Sequence, residues 1–130
     1  MKHSVFTVMM PEYSPDETAK ILGDMGFDGV EWRVERVVEK GHEKPSYWGH
    51  NRSTVDLATI VESAPKVKLL AEGSGLEISC LATYLGVGQF EEVRRAMRAA
   101  SAMGCPYVRV GAPRYDGTRD YNELYEGTVD

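Results

Sequence analysis

The stretch Gly29-Val30-Glu31-Trp32-Arg33-Val34 sets two oppositely charged side chains between three apolar ones with a period of two. Such spacing describes a strand with one apolar and one charged face. A second run, Tyr107 to Gly111, places Arg109 between Val108 and Val110, so the same alternation turns Arg109 the way of Glu31 and Arg33. An unpaired buried ion costs several kcal/mol, and these charges should therefore meet: Glu31 with Arg109, or Glu31 with Arg33 through water. Two uses follow from the residue types. The charges form a polar layer that merely orders an interior, or Glu31 and Arg33 hold hydroxyls or a carboxylate of a sugar-like substrate.

The polar stretch from Glu35 to Ser53 is broken by Gly41, Pro45 and Gly49 and carries His42, Tyr47, Trp48, His50 and Asn51. Loops beyond about 12 to 15 residues in a compact domain are usually functional or disordered, and two large aromatics argue against plain disorder. The spacing of His42 and His50 fits no compact zinc motif, and solvated loop histidines are the plain reading. The sharper reading is a substrate lid, with Trp48 stacked on the apolar face of a sugar and His50 or Asn51 supplying a hydrogen bond. Thr83 and Tyr84 end another strand, and Gly111, Arg114 and Tyr115 follow the last one, so both sets reach the same end of a sheet. There Gly111 would let a ligand approach the backbone. Arg114 is either a surface arginine or the anchor of an anionic group. Cys80 and Cys105 read as inert, reduced thiols, and His3 as solvated.

The elements that would position these residues alternate. A buried strand spans Ser4 to Met10. Ser14 as N-cap, Pro15 at the first helical position and Glu17 three residues after the cap predict a helix. Ala19, Ile21, Leu22 and Met25 form its buried stripe, and Gly26 stops it. Thr54 to Ser74 is helical in composition with a break at Pro65, Ser63 being a cap for a second helix that ends at Gly73 or Gly75. Leu76 to Leu81 is the third strand, Gly86-Val87-Gly88 a turn, and Phe90 to Met103 a helix closed by Gly104. Tyr107 to Gly111 is the fourth strand, and a last helical turn begins near Tyr121. Three glycine stops, Gly26, Gly75 and Gly104, each close a helix and open a strand within four residues. Helices alternating with strands imply parallel pairing through right-handed crossovers, hence an α/β fold. The alternation alone suits a doubly wound sheet or part of a (βα)₈ barrel, although no glycine-rich fingerprint follows the first strand.

The 130 residues, 42% hydrophobic and 27% charged with a net charge of −5, suit one globular domain over residues 1–130. With a pI near 5.2 and no basic stripe, nucleic acid is not an expected partner. The longest N-terminal apolar run, Val5 to Met10, is far short of a signal segment or a membrane span, so no membrane partner and a cytoplasmic location are expected.

Taken together, Val5-Phe-Thr-Val-Met-Met-Pro-Glu-Tyr-Ser-Pro-Asp-Glu17 and Met25-Gly-Phe-Asp-Gly-Val-Glu-Trp-Arg-Val34 resemble the sugar phosphate isomerase/epimerase family. This is the xylose isomerase-like TIM barrel group, also called AP endonuclease family 2. Leu81-Ala-Thr-Tyr-Leu85 and Ala102-Met-Gly-Cys-Pro-Tyr-Val-Arg-Val-Gly-Ala-Pro113 extend the likeness over nearly the whole chain, as the first half of a family member. The resemblance implies the N-terminal half of a (βα)₈ barrel with four parallel strands, since a complete barrel needs about 250 residues. It implies metal-assisted proton transfer on a keto sugar or polyol, with a divalent metal held in full-length relatives by Glu, Asp, His and Glu of later strands, beyond Asp130. No catalytic residue and no metal ligand of this chain is therefore assigned. The substrate-binding candidates are Glu31, Arg33, Trp48, His50, Tyr84, Arg109 and Arg114. The expected partners are a small sugar or polyol and either the missing C-terminal half or a second copy in a homodimer. The alternative role is a non-catalytic half-barrel that binds a small polyol or pairs with another chain. The endonuclease relatives raise DNA repair as well, against which the acidic balance argues.

Overall fold

A computed structural model describes residues 1–38 and 44–129. Strands and helices alternate as β1 (Ser4–Phe6), α1 (Pro15–Asp24), β2 (Gly29–Glu35), β3 (Val55–Asp56), α2 (Ile60–Gly73), β4 (Glu77–Thr83), α3 (Phe90–Met103), β5 (Val108–Arg109) and α4 (Tyr121–Val129). Every pairing is parallel, in the order β1-β2-β4-β5, with the short β3 also on β2.

Local chemistry explains the repeating unit. Ser14 caps α1 through a reciprocal box: the Glu17 amide donates to Ser14 Oγ at 3.3 Å, and the Ser14 amide donates to the Glu17 carboxylate at 2.8 Å. Each helix-to-strand turn then closes with the same six-residue bond, from Phe27 N–H to Leu22 O, Leu76 N–H to Ala71 O and Cys105 N–H to Ala100 O. The intervening Gly26, Gly75 and Gly104 all have φ between +72° and +80°, the left-handed conformation such a turn requires. The acceptors Leu22, Ala71 and Ala100 are buried, so each stop is tied to the core.

One apolar cluster joins the sheet to three helices. Val30, Trp32 and Val34 of β2 are fully buried and meet Leu22 of α1, Ile60 and Val67 of α2, and Ala96 and Met103 of α3 in that cluster. These helices therefore share one side of the sheet, the arrangement of a half-barrel and not of a doubly wound fold. Helix α4 buries no residue. No described helix is long and apolar enough to cross a membrane.

Several expected boundaries move. The first strand does not run to Met10. It leaves the sheet at Thr7 in a 3₁₀ turn, Thr7–Met9, because Thr7 uses its hydroxyl to accept the Arg33 amide at 2.9 Å and its carbonyl to accept Ser53 Oγ at 2.5 Å. Val55 and Asp56, read as helical, instead continue the edge of β2 that β1 abandons, pairing with Val34 and Glu35. Helix α2 is not broken at Pro65 or capped at Ser63. The buried stripe Ile60, Ala64, Val67 and Ala71 runs straight through, while Pro65, sixth of the helix's fourteen residues, lies on the exposed side. There its missing N–H deprives only the carbonyl of Val61, four residues back, of its helical partner. Met25 is 68% exposed and leaves the stripe of α1, since the helix has already ended. The fourth strand is shorter than Tyr107 to Gly111, and the last helical turn is a full helix.

The hydrogen bonds from Ser14 hold the Glu17 carboxyl below the usual carboxylate range. A depressed folded-state pKa adds stability that is present above the unfolded value near 4.3 and is lost as pH falls through the folded value. Thermal melts of Glu17→Gln should accordingly lose less stability than the parent between about pH 5 and pH 3. Parallel curves for the two proteins would show that the box makes no such contribution.

Candidate functional site

The face of the sheet away from the helices carries the charges. Alternation along β2 turns Glu31, Arg33 and Glu35 there once Val30, Trp32 and Val34 enter the core, and the Ala82↔Arg109 register brings Arg109 to the same side. Arg33, Glu35 and Arg109 lie toward the C-terminal ends of their strands, where barrel enzymes bind their ligands, while Glu31 stands third of the seven residues of β2.

Arg33 is 4% exposed although charged. One guanidinium nitrogen donates to Thr54 Oγ1, another pairs with the Glu35 carboxylate, and the cation lies 5.3 Å from the ring centre of Tyr84. Its Nε is buried without a partner among the described residues. Arg109 is more exposed and less tightly held. Its side chain is 44% exposed and its Nη1 stands 3.5 Å from Glu31 Oε1, an ion pair too long to be a good hydrogen bond. The cation sits 5.4 Å from the centre of the Tyr84 ring and 4.9 Å from that of Phe6. Phe6 belongs to β1, three strand spacings or roughly 14 Å from β5. Arg109 and Phe6 close that gap by leaning toward each other across the concave face. Tyr84 thus has two arginine cations within 5.4 Å of its ring centre, and Trp48 meets its ring edge-on at 6.4 Å and 88°.

The loop bearing Trp48 is fastened by Asn51, not presented by it. Asn51 is buried. Its Nδ2 donates to Val8 O at 3.0 Å and Tyr47 O at 3.3 Å, and its Oδ1 accepts from Ser53 N–H at 3.0 Å. Both N–H donors of the amide and one acceptor site of its oxygen are thus used within the fold, with Ser53 Oγ a further 2.8 Å neighbour of that oxygen. The expected hydrogen bond from Asn51 to a sugar is therefore replaced by a structural role. Trp48 itself is 71% exposed.

The structure brings Glu31, Arg33, Tyr84, Arg109 and Trp48 together. It does not bring Arg114 to them, and it places His50 only at their margin. His50 lines an adjoining small cleft of about 160 Å³ whose walls include Trp48, Glu35 and Thr54, its carbonyl accepting the Ser46 amide at 2.8 Å. Arg114 is exposed beyond β5 and enters no ion pair among the described residues. His42 lies outside the described residues. The close backbone approach at Gly111 is to Leu85, whose carbonyl accepts the Gly111 amide at 2.7 Å, and not to an open site. The alternative Glu31 and Arg33 contact through water gives way to separate direct partners for each. Burial pushes the thiols of Cys80 and Cys105 up, which keeps both protonated and unreactive near neutral pH.

Phe6 was legible as a site residue only through its alternation with the core-facing Val5, and Glu35 through its place two residues after Arg33. Thr54 gave no signal, because its contact depends on the loop's return path. Beside the cluster, Glu35 and Tyr84 also border a cleft of about 220 Å³ floored by Val34, Leu57 and Leu85. Among the described residues no three His, Cys, Asp or Glu side chains gather to hold a metal ion. No protein-family model matches the chain, and no curated protein is significantly similar to it.

Asn51→Ala removes the partners of buried backbone and hydroxyl groups, which costs about 1–3 kcal/mol. Urea unfolding should show a lower midpoint at unchanged slope. A midpoint equal to the parent's would mean that the loop is fastened by other contacts.

Proposed function

We propose that this chain is the ligand-binding first half of a sugar isomerase/epimerase-like barrel, and that its concave face takes a small keto sugar or polyol. The observation that carries this reading is the gathering of Arg33 and Arg109 around the Tyr84 ring toward the C-terminal ends of the strands, with Glu31 paired to Arg109. Glu31 is acceptor-only when ionised and suits the hydroxyls of a polyol, and the exposed ring of Trp48 suits the C–H face of a sugar. Arg109 faces the ligand. Arg33, buried behind Tyr84, acts as a positioning residue. His50 and Arg114 stand outside this set and have at most a peripheral part.

The resemblance in the sequence motifs supports the isomerase or epimerase class, and the half-barrel is compatible with it. The described residues supply binding and orientation, and no proton-transfer step is assigned to them. β1 and β5 end the strand order, and their edges support pairing with a second chain as the alternative role.

Calorimetric titration with sorbitol should give saturable binding in the millimolar range, weakened about tenfold in Glu31→Gln, which corresponds to about 1.4 kcal/mol. Absence of binding, or equal affinity in the variant, would overturn the proposal.

A further inference from the structure

We infer that the ligand of this face is a hydroxy acid, a polyol bearing one carboxylate, with Arg109 as the carboxylate anchor. The inference rests on the polyol reading above and narrows it.

Two arginines share the cluster, and the geometry separates their roles. Arg33 is buried, and its terminal nitrogens are engaged by Thr54 and Glu35, so its charge is already neutralised and out of a ligand's reach. Arg109 is 44% exposed. Cation–π contacts with Phe6 and Tyr84 fix where its guanidinium sits without satisfying the hydrogen bonds of its N–H donors. Its sole ion pair among the described residues is the 3.5 Å approach to Glu31, and no hydrogen bond joins the two. A cation pre-positioned between two rings, with its donors left over and a carboxylate at arm's length, is set to receive an external anion. A guanidinium fork matches a carboxylate with two parallel hydrogen bonds.

Charge selects among anions. Arg33 with Glu35 and Arg109 with Glu31 leave the cluster near neutrality, and Glu31 borders the place the anion would occupy. A monoanion meets less repulsion from Glu31 than a dianionic phosphate would. A ligand whose hydroxyl neighbours its carboxylate uses both groups, the carboxylate on Arg109 and the hydroxyl donating to Glu31.

The test is calorimetric titration of the intact chain with D-gluconate, sorbitol and glucose 6-phosphate near pH 7. Gluconate should bind at least tenfold more tightly than sorbitol and more tightly than glucose 6-phosphate. In Arg109→Gln the gluconate-to-sorbitol ratio should fall to near one. Arg109→Lys, which keeps the charge without the fork, should fall between, and it serves if the glutamine variant does not fold. Equal affinities for gluconate and sorbitol in the parent overturn this inference and leave the polyol reading standing. Tighter binding of the phosphate, or a ratio unmoved in both variants, overturns the assignment to Arg109 and a monocarboxylate. If none of the three binds, both readings fall.

Discussion

Everything on the concave face depends on three apolar side chains on the other. Val30, Trp32 and Val34 are fully buried against the helices, and burial of such side chains contributes about 1.5–3 kcal/mol each. A one-residue slip of β2 would exchange them for Glu31, Arg33 and Glu35, exposing a tryptophan and burying three ions in an apolar layer. The register is consequently determined by transfer energetics, and the charges have one side left to occupy.

That side must then accommodate a nearly buried cation, and the surrounding chain is organised around it. The Arg33 amide is taken by Thr7, which turns β1 out of the sheet, and the Arg33 guanidinium is taken by Thr54, next to the short strand that replaces β1 on that edge. Asn51 and Ser53 tie the returning loop to the same 3₁₀ turn. One residue thus links the end of β1, the loop with Trp48 and the start of β3. Removing one partner of a buried charge is far costlier than never burying it, which makes this network a rigid backing for the more exposed Arg109.

Features governed by neighbours in sequence were legible: the capping box at Ser14, the glycine stops, and the alternation that puts Glu31 of β2 and Arg109 of β5 on the charged faces of their strands. Periodicity and turn chemistry act over a few residues, and they predict such features without tertiary information. The early end of β1, the strand at Val55–Asp56 and the passage of α2 through Pro65 were not, since each is determined by contacts between segments far apart in the chain. Thr7 reads as one more β-branched residue until Arg33 and Ser53 are seen against it. The same holds within the site, where Arg33 and Arg109 look alike in sequence and only the contacts of Thr54 and Glu35 tell them apart.

The central claim, that Arg109 crosses the helix-free face between Phe6 and Tyr84, is tested most directly by proton NMR. Ring currents should move the Arg109 side-chain resonances upfield, with cross-peaks to the Phe6 and Tyr84 rings, and Tyr84→Ala should return much of that shift. Random-coil positions for those resonances, or cross-peaks to Ile60 and Ala96 on the helical side, would contradict the account.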